Sequence, residues 1–502
     1  MSPAAINAAG DITTDADISI QTDHNITFYP NHGGGGGALK TTGDFDVVAT
    51  TSNDVIAVTG NIVGVDGGGD GTDEDITMMA GASSGTSGGT ITLGGNVGTE
   101  INDVTLTAAT AINLGGTITT VNAGNDVYIV GPAVLTADTT INTSGSTGLI
   151  DFSSTINNDG GGTPFDLTLN SNGGTITVDS TIGNLVAVKA IDINSTGGAG
   201  DITLAGIGNG TTSAGSAGVD IGNTATDQLK LAGTFFTNGT STYTASGTAN
   251  AGDENIEITN TTTFKTSDDS LIFATSAIDI ADGANLTIDT GSGAITLTDI
   301  HGDGANDTTD LDIDGGAISV KSIGQSGAKD EINGVDINGS GGITLNGSIF
   351  TAGTDANVGF TGAVSLATGD ILIDTSTSNG TVDFSSTVAG TQNLDILSGS
   401  GQVTITGNIG GGAALTSLDI NQTAGTGNIR ILGNIGADGT SGAGIVRLGN
   451  DNNTGTITFG TSGTESEYFT TGAQTYIADG YSLAGTDPDF NASSENIDFQ
   501  DG

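Results

Sequence analysis

The feature that most constrains this chain is a short apolar-polar-apolar triplet that recurs from end to end. Examples are Ile76-Thr77-Met78, Ile91-Thr92-Leu93, Val104-Thr105-Leu106, Ile112-Asn113-Leu114, Ile176-Thr177-Val178, Ile202-Thr203-Leu204, Ile295-Thr296-Leu297, Ile343-Thr344-Leu345, Val403-Thr404-Ile405 and Ile457-Thr458-Phe459. Alternation with a period of two marks a half-buried strand. The β-branched residues that fill the triplets suit a pleated surface and lower helix propensity. No stretch carries a convincing 3.6-residue apolar period, so almost no helix is expected. Three residues make too short a strand to be stable by itself, and such strands persist only when stacked on neighbours that take up their backbone N–H and C=O groups.

The segments between triplets are rich in Gly, Asn, Asp and Ser. Gly60-Asn61-Ile62, Gly95-Asn96-Val97-Gly98, Gly407-Asn408-Ile409-Gly410 and Gly433-Asn434-Ile435-Gly436 repeat one corner pattern. Gly and Asn both enter the left-handed region cheaply, and both are expected to do so at these corners. Corners and triplets recur every roughly 20 to 26 residues, which fits a solenoid whose coils bury their apolar edges only against one another. The expected fold is therefore all-β, a parallel β-helix (β-solenoid) over one continuous segment, residues 1–502. With coils about 4.8 Å apart it would form a rod on the order of 110 Å long.

A longer period overlies the coil. Asp151-Phe152-Ser153-Ser154-Thr155 recurs identically as Asp383-Phe384-Ser385-Ser386-Thr387. Half that offset relates Tyr128, Tyr243, Phe360 and Tyr476, read as one equivalent position, and Phe152, Phe273, Phe384 and Phe499, read as another. The spacing implies about four degenerate blocks of roughly 116 residues, approximately 1–111, 112–228, 229–342 and 343–445, with 446–502 a partial copy. Unequal steps are expected, because lengthening a corner loop costs little.

Composition excludes several classes. The chain has 86 Gly and 5 Pro without a Gly-X-Y period, which excludes collagen, and its 35% hydrophobic content in ordered triplets argues against disorder. With 57 acidic side chains against 8 Lys and Arg the net charge is −49, so nucleic acid is excluded as a partner for want of a basic stripe. So acidic a surface repels copies of itself until cations screen it, which suits a salty or calcium-containing exterior. No cysteine is present, so disulfides and thiolate sites are excluded. Apolar stretches such as 185–193 are broken by Lys189 and Asp192 and are too short to insert in a membrane. Met1 to Gly10 lacks a basic start and an apolar core, and the strand pattern begins at Asp11-Ile12-Thr13-Thr14, as expected of an internal segment of a longer protein.

Several phrases carry a family likeness: Phe360-Thr361-Gly362-Ala363-Val364-Ser365-Leu366, residues 382–388 (VDFSSTV), Gln392-Asn393-Leu394-Asp395-Ile396, Val403-Thr404-Ile405-Thr406-Gly407, Ala414-Leu415-Thr416-Ser417-Leu418 and Thr470-Thr471-Gly472-Ala473-Gln474-Thr475-Tyr476. In degenerate form, from about Val104 onward, the chain resembles the filamentous-haemagglutinin-like and autotransporter-like β-helical adhesins of bacterial surfaces. That resemblance implies a right-handed parallel β-helix, export to the cell surface or the exterior, and a role in attachment, cell-to-cell contact or biofilm. The partner would then be a host-cell, bacterial-cell or polysaccharide surface. The secretion domain and membrane anchor of such proteins are not recognisable here.

Candidate chemistry is sparse. The eight cations, Lys40, Lys189, Lys230, Lys265, Lys321, Lys329, Arg430 and Arg447, are scattered singly, whereas a polysaccharide lyase needs a basic residue beside calcium-holding carboxylates. A hydrolase needs paired carboxylates, and 57 acidic residues produce chance pairs. His24 and His32 flank a glycine run and read as solvated loop residues, and His301 is the only other histidine. Gly206-Ile207-Gly208-Asn209-Gly210 reads as a corner because no helix pattern follows it. The Thr-x-Thr pairs do not keep one register, which argues against an ice-binding face. Calcium is the one cofactor worth carrying: Asp70 and Asp73 lie in Gly68-Gly69-Asp70-Gly71-Thr72-Asp73, and Asp303, Asp307 and Asp310 lie in a second acidic run. Carboxylates on tight turns are suitable hard ligands. The expectation is a non-enzymatic, extracellular adhesive solenoid. The alternatives are a self-assembling sheath, surface-layer or filament component, associating end to end or side by side, and a β-helical lyase or hydrolase.

Overall fold

The structure is a computed structural model that describes residues 4–14, 16–30, 37–51, 53–65, 74–81, 88–98, 100–120, 124–143, 147–246, 254–303, 308–325, 332–436, 442–452, 455–493 and 495–501. Among the described residues there is no helix, and the paired strands run parallel, each against the equivalent strand of the next coil. The chain forms a parallel β-solenoid, and it divides into two compact units, Met1–Ile256 and Glu257–Gly502.

In the first unit three ladders form three faces. One runs from Ile26 through Ile56, Ile91, Ile112 and Ala133 to Ile156, and bridges on to Ile182 and Ile207. A second places Leu39, Ile62, Val97, Ile118, Ile141, Leu169, Ile193, Ile221 and Tyr243 in register, all of them buried. The third stacks Phe45, Ile76, Val104, Val127, Ile150, Ile176, Ile202 and Leu229. The second unit repeats the plan, with inward files such as Leu286, Leu311, Val335, Val358, Val382, Val403, Ile429 and Ile457, and Ile300, Ile323, Ile349, Ile373, Ile396, Ile420 and Leu448.

The triplet explains this arrangement directly. Its outer two residues point into the core and its middle residue points to solvent, so a one-residue slip would expose two apolar side chains and bury a polar one. Register is therefore held from coil to coil. Coil length absorbs the variation, since cross-coil contacts span 35 residues from Asn61 to Asn96 and only 21 from Asn96 to Thr117.

The structure corrects two sequence expectations. The aromatic series do not mark single equivalent positions. Tyr243, Phe360 and Tyr476 are buried, but Tyr128 is the middle residue of its triplet, faces outward and donates its hydroxyl to Asp126 Oδ2 at 3.0 Å. Phe499 is 43% exposed but stands in register with buried Tyr476, as Phe384 does with Phe360, so the mismatch lies at Tyr128. Phe360 and Phe384 in fact share one file on adjacent coils, their rings stacked at 4.6 Å. The corner asparagines also differ from expectation. Asn61, Asn96, Asn408 and Asn434 are absent from the left-handed residues, and it is Gly410 and Gly436, at φ of 74° and 82°, that make the turn. The asparagines act through their side chains, as described below.

A repeat that the aromatic pattern missed lies in the core. Asn194 Oδ1 accepts from the Ser171 N–H at 2.8 Å, its amide donates to Ser171 Oγ at 3.1 Å, and Asn223 donates to the Gly198 carbonyl at 3.1 Å. At a constant shift along the chain, Asn421 accepts from Ser398 N–H at 2.8 Å and donates to Ser398 Oγ at 3.0 Å, and Asn450 donates to the Gly425 carbonyl at 3.1 Å. Asn194 and Asn421 share φ of 51°, and both are fully buried. A buried polar group that is fully hydrogen-bonded specifies one corner geometry and penalises others.

Truncating an inward residue should cost much more than truncating an outward one. Ile337, fully buried between Ile313 and Phe360, should lose about 2–5 kcal/mol on Ile337→Ala. Thr344→Ala, at the outward centre of its triplet, should change stability by no more than about 0.5 kcal/mol. Urea unfolding followed by circular dichroism measures both, and comparable losses would contradict the assigned inward and outward faces.

Candidate functional site

Of the residues singled out for calcium, Asp70, Asp73 and Asp307 lie outside the described residues, as does His32. Asp303 ends the strand Ile300–Asp303, and Asp310 opens the strand Asp310–Gly315, where its Oδ1 accepts from Asn333 Nδ2 at 2.7 Å. Among the described residues no three His, Cys, Asp or Glu side chains converge on a point that could hold a metal ion. His24 contacts its neighbour Asp23 at 2.5 Å, and that hydrogen bond, followed by the charge interaction with His24, holds the Asp23 carboxyl below the usual range.

The acidic and amide side chains at the corners instead serve the backbone. Asp17 Oδ1 accepts from the N–H of Asp44 at 3.2 Å, Asp44 from Asp75 at 3.1 Å, Asp75 from Asp103 at 3.2 Å, Asp103 from Asp126 at 2.7 Å and Asp126 from Leu149 at 2.8 Å. The corner asparagines do the same: Asn61 accepts from the N–H of Asn96 at 3.0 Å, and Asn408 from that of Asn434 at 3.0 Å. Each side chain covers a donor one residue ahead of the inward residue that begins the register file on the next coil, such as Ile76 after Asp75 and Val104 after Asp103. Aspartate does this as well as asparagine but stacks like charges. Burial, followed by the fields of Asp103, Asp44 and Asp46, raises the pKa of Asp75.

The cations, single along the sequence, find aspartates on adjacent coils. Lys40 reaches Asp11 at 2.5 Å, Lys189 reaches Asp166 at 3.0 Å, and Lys265 reaches Asp289 at 3.0 Å. These pairs are solvent-exposed and screened, so they add little to stability. Arg447 is different. Its Nε and Nη2 grip Asp419 Oδ1 and Oδ2 at 2.5 and 2.7 Å, and Asp419 is only 8% exposed and also accepts from Ser417 Oγ at 3.0 Å. A bidentate pair of this kind, with its carboxylate buried, is geometrically fixed.

The Arg447 pair forms one wall of a groove in the second unit. Leu372, Asp395, Asp419 and Arg447 are the outward residues of four successive strands in one register file, and Ile396, Leu397, Gln422 and Thr423 complete a cavity of about 250 Å³. Asp395 lies beside Leu372 on one rung and Asp419 on the next. Burial, and then the negative charge of Asp419, push its carboxyl up to about 6, against a partial opposing pull from Arg447. The corner that carries Gln422 and Thr423 follows directly on Asn421, so the buried Ser398–Asn421–Asn450 network fixes that side of the groove. In the first unit the counterpart file reads Thr168, Asp192 and Asp220, with no guanidinium. There burial and Asp192 raise the pKa of Asp220.

Fold and groove together define a parallel β-solenoid with a mixed-charge cleft on one outer face. Compared with known proteins, the chain matches no family model, no curated protein and no solved structure. The cleft was missed at the sequence level because its members are far apart in the chain. The signal was present, however: aligning Leu394-Asp395-Ile396, Leu418-Asp419-Ile420 and Val446-Arg447-Leu448 as triplets puts the three charged residues in one outward file.

The raised carboxyl has a consequence for stability. A carboxyl whose pKa is higher in the folded state holds its proton more tightly there. Its contribution is complete below the ordinary value of 3.8 and is lost as pH rises through about 6. Asp395→Asn removes that loss, so the variant should gain melting temperature relative to the parent as pH is raised from 4.5 to 7.5. Parallel melting curves across that range would contradict the environment assigned to Asp395.

Proposed function

We propose that this chain is a non-enzymatic, extracellular solenoid from a large bacterial surface or secreted protein, presenting repeated polar faces for attachment to a host-cell, bacterial-cell or polysaccharide surface. The observation that carries this reading is the division of labour within each triplet. Inward files are continuous and apolar, while outward files such as Thr287, Asp312, Asp336, Gly359, Asp383 and Thr404 are polar and repeat at about 4.8 Å. Such a surface offers many shallow contacts in register and suits avidity more than a single deep site. Calcium, if bound, would act at the acidic runs of Asp70 and Asp73 and of Asp303, Asp307 and Asp310, bridging the solenoid to acidic partners.

The alternatives have weaker support. Lateral assembly into a sheath must bring together surfaces of a chain with net charge −49, which is unfavourable until cations screen it. Hydrolysis takes a pair of available carboxylates. In the groove Asp419 is committed to Arg447 and Ser417, which leaves Asp395 as the uncommitted carboxyl of its wall.

Beads coated with the chain should adhere to polysaccharide-coated or cell-covered surfaces in physiological salt and not to bare, blocked ones. Equal retention on both surfaces would contradict the attachment reading. Concentration-dependent growth of ordered polymers, with or without calcium, in the absence of adhesion would favour the assembly alternative.

A further inference from the structure

We propose that the groove of Leu372, Asp395, Arg447, Gln422 and Thr423 is a saccharide-binding site that takes the hydroxyls of one neutral sugar ring. The inference goes beyond the attachment reading and does not require it, since the groove would hold a sugar whatever the remaining faces do.

The argument begins with donors and acceptors. Ionised Asp395 is an acceptor only, and Arg447 is a donor only, with Nε and one Nη2 hydrogen spent on Asp419 and its other N–H groups uncommitted to that pair. A simple anion entering the groove meets the carboxylates of Asp395 and Asp419, and a simple cation meets the guanidinium. A hydroxyl both donates and accepts, so a ring with several hydroxyls can donate to Asp395 and accept from Arg447, which stands two rungs further along the same file. Gln422, exposed at the corner, adds an amide that can do either. Leu372 supplies apolar surface beside Asp395, against which the C–H face of a ring can pack.

Size and rigidity point the same way. The cavity, about 250 Å³, falls below the roughly 300–1,000 Å³ of drug-sized pockets and suits a single ring. Arg447 is held by both oxygens of Asp419, which is itself buried and bonded to Ser417, so the donor wall is preorganised. The Asn421 network, with no exposure at Asn421 or Ser398, anchors the corner that carries Gln422 and Thr423. The first unit provides an internal control: its file of Thr168, Asp192 and Asp220 has an aspartate where the groove has Arg447, and so no guanidinium.

The charged groups acting on Asp395 are Asp419, Arg447 and Asp370. Of these Asp419 and Asp370 favour its protonated form, and once protonated it donates to Asp419 and offers the ligand only a neutral, weaker acceptor. Binding should therefore be stronger at pH 7.5 than at pH 5.

The test is saturation-transfer NMR on the full chain with the methyl glycosides of glucose, galactose, mannose and N-acetylglucosamine, with methylammonium and acetate as comparison probes. At least one glycoside should bind at pH 7.5. Its affinity should fall roughly tenfold or more in Asp395→Ala and in Gln422→Ala, the loss expected for a hydrogen bond to a charged or well-placed polar group. Asp192→Ala, in the first unit, should leave it unchanged. Both groove substitutions lie on the outer surface, and circular dichroism confirms that the variants fold. The proposal is overturned if no glycoside binds, if binding survives both groove substitutions, or if only methylammonium or acetate binds. Adhesion of coated beads reports separately on the attachment reading, which can fail while glycoside binding stands.

Discussion

Everything in this molecule depends on the hydrogen bond between a backbone group in one coil and its partner in the next. A triplet such as Val335-Asp336-Ile337 has no stability as an isolated strand. In the ladder from Asp310–Gly315 through Gly334–Gly339 to Val358–Thr361, each segment gains the cooperativity of the ones on either side. Because rungs are about 4.8 Å apart, every outward side chain has a neighbour from a coil some twenty to thirty residues away. Chemistry that looks scattered in the sequence is thereby gathered into files.

That geometry has a cost at the corners. A turn removes the backbone from the ladder and leaves N–H groups to be satisfied, and this chain answers with side-chain oxygens of Asn and Asp, from Asp17 to Asp126 in one series. Using aspartate puts like charges one above another, while Lys40, Lys189, Lys265 and Arg447 pair with other aspartates, Asp11, Asp166, Asp289 and Asp419. Arg447 is gripped by Asp419 and only partly offsets the burial and repulsion at Asp395. A guanidinium and a carboxyl so placed in one file give the groove both a donor and an acceptor.

Much of the fold was legible in the sequence, because the triplet states which residues face in and the Gly and Asn clusters state where the chain turns. What the sequence did not disclose follows from geometry. Tyr128 looked equivalent to Tyr243 by spacing, but spacing measured across coils of unequal length does not preserve the inward or outward parity of a residue. Asn61 and Asn408 were assigned a conformational role because asparagine tolerates the left-handed region. The second property of the residue, an amide that can cap the next coil, is the one used. The groove of Asp395, Asp419 and Arg447 needed registration of three triplets to be seen.

Amide hydrogen exchange on the native chain tests the central claim most directly. Long-lived protection should fall on the inward residues of successive rungs, such as Ile313, Ile337, Val358 and Val382, and extend along each face without interruption, with rapid exchange confined to the corners between them. Protection restricted to a few isolated segments, or uniformly fast exchange through the triplets, would show that the coils do not sustain one another and would contradict the account.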